Sequence, residues 1–322
     1  MDINQTDVVK AVSHVRDENV SNIKDVSSSA KKTFRVEFKK SINLIVCFSS
    51  KELKKRFRKE EKVVELVNRR TNIPTQRIVY SSLDSDPMFY IAEEMEGTEC
   101  LELYEALSFT EKKKIVKQIG KILAVLHSQT EFESHGDLIL SSGKLRVQDE
   151  PSWKEYLQKF ILGEIEKLEG TRFEDLQQNY RKYLKQNLDL LGTEKPVLVH
   201  FDVSPDNIFL EDTDVSGIID WERSFSGHSE WDLAYTETQM IHRFIENDEE
   251  IKKLKEAFYS SYRENYRLED GWKERIEFYK TLKAIYAMRY FESWTEKEGL
   301  TAKERKEEEE ILRNILKQNC SK

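Results

Sequence analysis

Apolar residues along this chain fall into short periodic blocks, and their spacing changes character near residue 97. In QTDVVKAVSHVR (5–16), Val8, Val12 and Val15 recur at helical spacing and predict a short amphipathic helix. After the turn-rich segment DVSSSAKKT, FRVEF (34–38) and NLIVCF (43–48) read as two β-strands joined by a tight connection. The second run is apolar on both faces, which predicts a buried strand. ELKKRFRKEEKVVELVNRR (52–70) places Phe57, Val63, Val64 and Val67 on one helical stripe, and Pro74 stops the helix soon afterwards. QRIVYSS and PMFYIAEEM supply two further strands, the second ending before Gly97. The first part of the chain therefore holds at least four strands and one long helix, an α+β pattern.

Beyond Gly97 the pattern is helical. Residues 110–128 form a strong amphipathic helix, and 152–191 and 231–317 are mostly helical. Between these blocks, 196–221 alternates short apolar runs with turns. The expected organisation is two lobes, 1–97 and 98–322, with the join at AEEMEG, whose hinge is 93–97. The charge run TAKERKEEEE near the C-terminus reads as a solvated helix face.

Composition narrows the function. The 322 residues are long enough for two lobes, and 60 acidic against 52 basic residues give a net charge of −8. That balance excludes a whole-chain basic footprint for nucleic acid. A bound phosphate would need local help from a metal ion or a few lysines. Cys47, Cys100 and Cys320 are odd in number and far apart, so free thiols are expected rather than a disulfide framework or a zinc site. No segment approaches the ~18 apolar residues of a membrane span. These features together predict a soluble cytoplasmic protein.

The segment VLVHFDVSPDNIFLEDTDVSGIIDWERSFSGHSEWDLAY (197–235) carries the candidate chemistry. It holds HxDxxxxN (His200, Asp202, Asn207), then an apolar run, then IIDW with Asp220, and finally WDLA with Asp232. Phosphoryl transfer rests mostly on positioning and charge neutralisation. A loop carboxylate can accept the proton of an attacking hydroxyl. An amide oxygen five residues on and a second carboxylate can share the metal ion that bridges the phosphates. NIFL and SGIID read as a hairpin, which brings Asn207 and Asp220 close together. Each residue alone would serve as a turn former or cap; the joint spacing points to a site.

This stretch resembles the aminoglycoside phosphotransferase and choline kinase group, whose members share a two-lobed fold with the protein kinases. The resemblance implies a protein-kinase-like fold and an ATP- or GTP-dependent, Mg²⁺-assisted transfer of the γ-phosphate to a hydroxyl of a small-molecule acceptor, such as an aminoglycoside antibiotic. It implies Asp202 as catalytic base, His200 as a loop-shaping residue, Asn207 and Asp220 as Mg²⁺ ligands, and Asp232 as the buried carboxylate that steadies the loop. Phe201 stands where the group usually has glycine, and His228–Ser229 where it has Asp-Pro. SHGDLIL (134–140) matches the group's HGDL more literally, but Ser142 rather than asparagine follows Asp137 at the required distance. His135 and Asp137 are therefore expected to be ordinary loop residues.

In the first lobe, the resemblance implies a phosphate-covering loop at SSSAKKT (27–33), with Ser28 and Ser29 as phosphate donors. It aligns Glu60, or alternatively Glu61, with the helix glutamate that holds a phosphate-binding lysine, and backbone groups of Glu93, Glu94 and Met95 with the adenine edge. The lysine itself is missing: in LIVCF its place is taken by Cys47. Either a nearby lysine (Lys31, Lys32, Lys39 or Lys40) substitutes in space, or the protein is a catalytically weak nucleotide-binding pseudokinase or scaffold. The acceptor is expected between the catalytic loop and the helices after 231, where Glu237, Glu292 and Glu296 would suit a cationic amine. Trp294 and Tyr290 read as helix packing or an aromatic box.

Overall fold

The computed structural model describes residues 3–27, 31–49, 54–148, 152–192 and 195–320. The chain opens with helix α1 (Gln5–Val12), whose Asn4 caps the N-terminus in a capping box with Asp7. Val8 and Val12 are buried as expected, whereas Val15 lies past the helix end and is half-buried. Five antiparallel strands follow: β1 (Val20–Asp25), β2 (Lys32–Phe38), β3 (Leu44–Ser49), β4 (Ile78–Ser82) and β5 (Met88–Glu93). Their spatial order is β1-β2-β3-β5-β4. Strand β1 was not foreseen, because it is a half-exposed edge strand with little apolar alternation to read.

The sheet has two apolar faces, as the unbroken apolar run of β3 requires. One face (Phe34, Val36, Val46, Phe48, Phe89 and Ile91) packs on Val8 and Val12 of α1. The other face (Cys47, Met88, Tyr90 and Ala92) packs on Phe57 of helix α2 (Lys54–Arg70). Each such side chain, fully buried, contributes about 1.5–3 kcal/mol.

Strand β6 (Thr98–Glu99) does not join that sheet. It pairs instead with β10 (Ile208–Glu211), which forms a hairpin with β11 (Asp214–Ile218). Gly97, at φ +95°, lies between β5 and β6; a Cβ there would lie 2.2 Å from Leu210 O. The remainder is mainly helical: α3 (Cys100–Tyr104), α4 (Phe109–Gln129), α5 (Trp153–Glu166), α6 (Gln177–Asn187), α7 (Glu230–Glu237), α8 (Asp248–Arg263), α9 (Trp272–Arg289), α10 (Phe291–Lys297) and α11 (Ala302–Cys320). Helix α4 packs along α8, and α7 along α9.

A second small sheet joins β7 (Gly136–Ser141), β8 (Lys144–Val147), β9 (Val197–Val199) and β12 (Phe225–Gly227). The structure thus corrects the reading of Asp137 as a loop residue: it lies in β7, opposite Phe225. Alternation in GDLILS and KLRV is too brief to stand out from sequence. The β7–β8 hairpin reaches across and packs against α2 of the first lobe. Cys47 and Cys100 are buried free thiols. Among the described residues, no helix is long and apolar enough to cross a membrane.

Candidate active site

The buried strand β9 delivers His200, Phe201 and Asp202 to the start of a loop. Phe201 adopts φ +85°, a left-handed conformation that strains a bulky residue. Asp232, fully buried in α7, holds the loop in that shape. Its two carboxylate oxygens accept hydrogen bonds from the backbone N–H groups of His200 and Phe201, both at 2.8 Å. His127 of α4 adds a third contact at 3.3 Å. Burial alone would raise the Asp232 pKa, but the hydrogen bonds from His127 and the His200 N–H outweigh it, leaving the carboxyl below its ordinary value.

His200 shapes the loop from inside. Its Nδ1 accepts the Asp202 N–H at 3.2 Å, so Nε2 carries the proton and donates to Ile219 O at 3.0 Å. Burial lowers its pKa despite the neighbouring carboxylates, which favours this neutral form. The ring also packs on Trp221, with centroids 4.4 Å apart. Asn207 ends the 3₁₀ turn Pro205–Asn207, and its Nδ2 donates to Asp202 O at 2.9 Å. That bond commits the amide nitrogen and leaves Oδ1 as the acceptor end of the side chain. Asn207 O in turn accepts from Ile219 N at 3.0 Å, which ties the loop to the end of the β10–β11 hairpin. Asp220 follows immediately, in a left-handed conformation at φ +66°. Asn207 and Asp220 are thus joined through adjacent backbone, as the hairpin pattern predicted.

Asp220 faces the first lobe. Its Oδ1 lies 3.2 Å from Lys31 Nζ, and the same ammonium lies 2.8 Å from Glu60 Oε2 and 3.0 Å from Glu222 Oε2. Glu60 is 1% exposed on α2, whereas Glu61 accepts from Ser81 Oγ elsewhere. Burial, with Asp220 and Glu222 adding to it, pushes Glu60 up to about 7 against the attraction of Lys31. Burial also opposes the charge on Lys31, but Glu60 leads the surrounding groups that hold its pKa well above the ordinary lysine value. Three carboxylates around one ammonium leave negative charge in excess. Ser28 and Ser29 lie outside the described residues.

Several residues at the site were not anticipated. Tyr235 hydrogen-bonds Asp202, and burial together with that carboxylate pushes the phenol pKa well up. Lys283 of α9 donates to Phe201 O at 3.0 Å and lies 3.8 Å from the centre of the Tyr235 ring. Burial lowers the Lys283 pKa well below the ordinary lysine value, against the pull of Asp232 and Asp202. The Arg223 guanidinium lies 4.0 Å from the centre of the Phe201 ring and 5.2 Å from that of Tyr286. Glu222 and Arg223 directly follow IIDW and were open to notice; Lys283 carries no local signal.

The acidic residues expected at the acceptor are dispersed. Glu237 is buried, with Oε1 at 2.9 Å from each of Lys255, Lys280 and His242, and Oε2 accepting from Tyr259 at 2.5 Å. Burial is overridden there by His242 and the two lysines, which hold the carboxyl well below its usual range. Glu292 is exposed and pairs with Arg172 at 2.5 Å and Arg305 at 3.6 Å. Glu296 is exposed on α10. Trp294 donates to Ala287 O and packs on Phe291, while Tyr290 stays exposed under Arg289.

At the hinge, Glu93 N–H donates to Arg77 O and Glu94 N–H to Asn43 O. The Glu94 carboxylate binds Arg35 and Asn43. Met95 packs on β11, where a Cβ at Gly217 would lie 2.0 Å from Met95 Cε.

An antiparallel first lobe over a helical second lobe, with a clamped HxDxxxxN loop facing a lysine–glutamate pair, is the architecture of a small-molecule kinase. The chain belongs to the APH phosphotransferase enzyme family, whose sequence profile matches residues 22–272. Among solved structures, the chain resembles the amicoumacin kinase hAmiN in complex with AMP-PNP, Ca²⁺ and Ami (TM-score 0.68, 13% identity, 98% of this chain and 94% of that one). It also resembles APH(2")-IIia in complex with GDP and kanamycin (TM-score 0.66, 15% identity, 98% and 100%). A third similar fold is the macrolide 2'-phosphotransferase MphH from Brachybacterium faecium (TM-score 0.62, 11% identity, 97% and 98%). A comparison with curated protein sequences finds no match.

Proposed function

We propose that this chain transfers the γ-phosphate of ATP or GTP to a hydroxyl of a small molecule, with Asp202 as base. The observation that carries the reading is the convergence of the Asp232-clamped Asp202–Asn207 loop, Asp220 and the Lys31–Glu60 pair on one cleft. In the reaction, the acceptor oxygen forms a bond to the γ-phosphorus, the bond from that phosphorus to the β,γ-bridging oxygen breaks, and the hydroxyl proton passes to Asp202. The nucleoside diphosphate leaves with the bridging oxygen.

The donor set fits a hard divalent cation such as Mg²⁺: the amide oxygen of Asn207, the carboxylate of Asp220, and surplus negative charge around Lys31. Bound there, the ion would offset charge on the phosphates during transfer. Tyr235 and Asn207 orient Asp202, through its carboxylate and its backbone carbonyl respectively. Met95 is the natural hinge donor to the base, because the N–H groups of Glu93 and Glu94 are spent within the first lobe. The kinases of similar fold that hold GDP or AMP-PNP support a nucleotide donor without choosing between ATP and GTP.

The acceptor wall near Asp202 presents Arg223, Tyr235 and Tyr286 rather than the carboxylates first considered. A neutral or singly charged polyol or amino sugar suits that wall better than a polycationic aminoglycoside, so antibiotic resistance is one branch of the reading and not its centre. The pseudokinase alternative rested on Cys47; an ammonium already paired to Glu60 supports the active enzyme.

The test is direct. Purified protein with Mg²⁺ and ATP or GTP is incubated with a panel of aminoglycosides, macrolides, amino sugars and polyols, and phosphorylated product is sought by mass spectrometry. Transfer to at least one hydroxyl is expected, and its loss in Asp202→Ala. Nucleotide binding with no transfer to any acceptor, at any pH from 6 to 9, would overturn the reading in favour of the scaffold.

A further inference from the structure

Strand β2 begins next to the loop expected over the phosphates, and Lys31 precedes it by one residue. The β2–β3 register pairs Thr33 with Cys47, and Thr33 Oγ1 lies 3.7 Å from Cys47 Sγ. Side chains alternate along a strand, so Lys31 shares the face of Thr33 and Cys47. That face looks onto Phe57, Glu60 and Tyr90, and the Lys31 ammonium is among the charges felt by the Cys47 thiol. The ammonium therefore occupies the space that a lysine at position 47 would reach, and its partner is the buried glutamate such a lysine would need.

We propose that Lys31, delivered from β2, is the residue that grips the phosphates of the bound nucleotide, and that Cys47 is small so that Lys31 has room to reach Glu60. The assignment rests on the kinase reading of the same cleft but concerns only binding of the polyphosphate. Among the described residues, the other candidate lysines of the first lobe are spoken for or remote. Lys32 points to the opposite face, 3.7 Å from exposed Asp25. Lys39 and Lys40 lie at the exposed far turn of β2–β3. Lys59 donates to Ser224 O at 2.8 Å.

Charge supports the assignment. The Lys31 side chain is 12% exposed, which orders it without sealing it from a ligand. Asp220 and Glu222 hold it at the cleft edge, and an incoming phosphate accompanied by a divalent cation can take over part of their contact while Glu60 keeps its own. A lysine at 47 would bring a second ammonium into the space beside Glu60 that Lys31 already fills.

The experiment compares wild type with Lys31→Met, Cys47→Lys and the double variant Lys31→Ala/Cys47→Lys. Each is titrated with ADP in the presence of Mg²⁺ and, separately, with adenosine, and each is melted without ligand. Lys31→Met is expected to weaken ADP by about 10–100-fold, the loss of one charge-assisted phosphate contact. It should leave adenosine within twofold. Cys47→Lys alone should bind ADP no more tightly than wild type, and the double variant should recover at least part of the loss. ADP affinity within twofold of wild type in Lys31→Met would overturn the proposal. So would equal losses for ADP and adenosine, which would mark a merely structural lysine. Should Lys31→Met fail to fold, Lys31→Gln takes its place in the same ADP and adenosine titrations, and ADP affinity within twofold of wild type there overturns the proposal. Nucleotide binding through Lys31 without phosphate transfer would sink the kinase reading alone; transfer with undiminished ADP affinity in Lys31→Met would sink this proposal alone.

Discussion

Replacing Asp232 by asparagine is the sharpest probe of the loop. The carboxylate is fully buried and holds two backbone N–H groups at 2.8 Å and one histidine at 3.3 Å. Asparagine keeps one oxygen, so at least one of those three donors would face an NH₂ group in the core. A buried donor left unpaired costs about 1–3 kcal/mol, and the bonds to a charged acceptor that are lost are the stronger kind. The expected destabilisation is about 2–4 kcal/mol, or roughly 4–15 °C in melting temperature at a few degrees per kcal/mol. Relief of the positive φ at Phe201, worth about 1–3 kcal/mol of strain, then favours a displaced loop. Turnover should fall by roughly 10²-fold or more while nucleotide affinity stays near wild type. The sign with pH is fixed by the lowered Asp232 pKa. Stability from this carboxylate is fully present above the ordinary aspartate value of 3.8 and is lost as pH falls through the lower folded value. Thermal melts of both proteins from pH 7 downward should therefore converge in strong acid. Melting within a degree of wild type at pH 7, with turnover unchanged, would refute the reasoning.

Asp202→Ala should reduce turnover by roughly 10²–10⁴ with nucleotide affinity nearly unchanged, read by steady-state kinetics beside ligand titration. Glu237→Gln should destabilise by about 1–3 kcal/mol in chemical denaturation, since it strips part of the counter-charge from Lys255 and Lys280; the acceptor KM should not move, and a large rise in KM would return Glu237 to the acceptor site. Because burial holds Glu60 at about 7 against an ordinary 4.5, the native state keeps a proton that the unfolded chain has lost between those values. Stability from this group falls as pH rises through that window, so Glu60→Gln should compare better with wild type at pH 8 than at pH 5, and a difference independent of pH would count against a raised Glu60 pKa.

Much of the fold could be read from periodicity: α1, α2, β2–β5 and α4 lie close to where the apolar spacing put them, because each buries one well-defined face. What escaped notice had weak local signal. β1 is a half-exposed edge strand, and β7, β8 and β12 are too short for their alternation to register. At the site, the HxDxxxxN and IIDW spacing was legible because local backbone joins Asn207 to Ile219. The acceptor side was not. Glu237 and Glu292 were singled out by charge and helical position, yet charge in sequence does not say whether a lysine waits three dimensions away, and for both of them one does or an arginine does. Lys31 could be named only as one of four candidates, since its choice depends on which strand face meets α2.

Helix α2 is fastened to the second lobe along its length. Near its start, Lys59 donates to Ser224 O, and the β7–β8 hairpin lies against it. Just past its end, Pro74 O accepts from Ile218 N, and Thr75 Oγ1 both accepts from Trp221 Nε1 and donates to Ile218 O. In protein kinases transfer requires the helix glutamate to be held on its lysine, so an outward swing of this helix would disable the site. Here that swing would break contacts at both ends of α2 together with the buried Glu60–Lys31 pair. The helix behaves as part of the second lobe's frame, so the geometry of the Glu60–Lys31 pair is tied to that of the loop carrying Asp220.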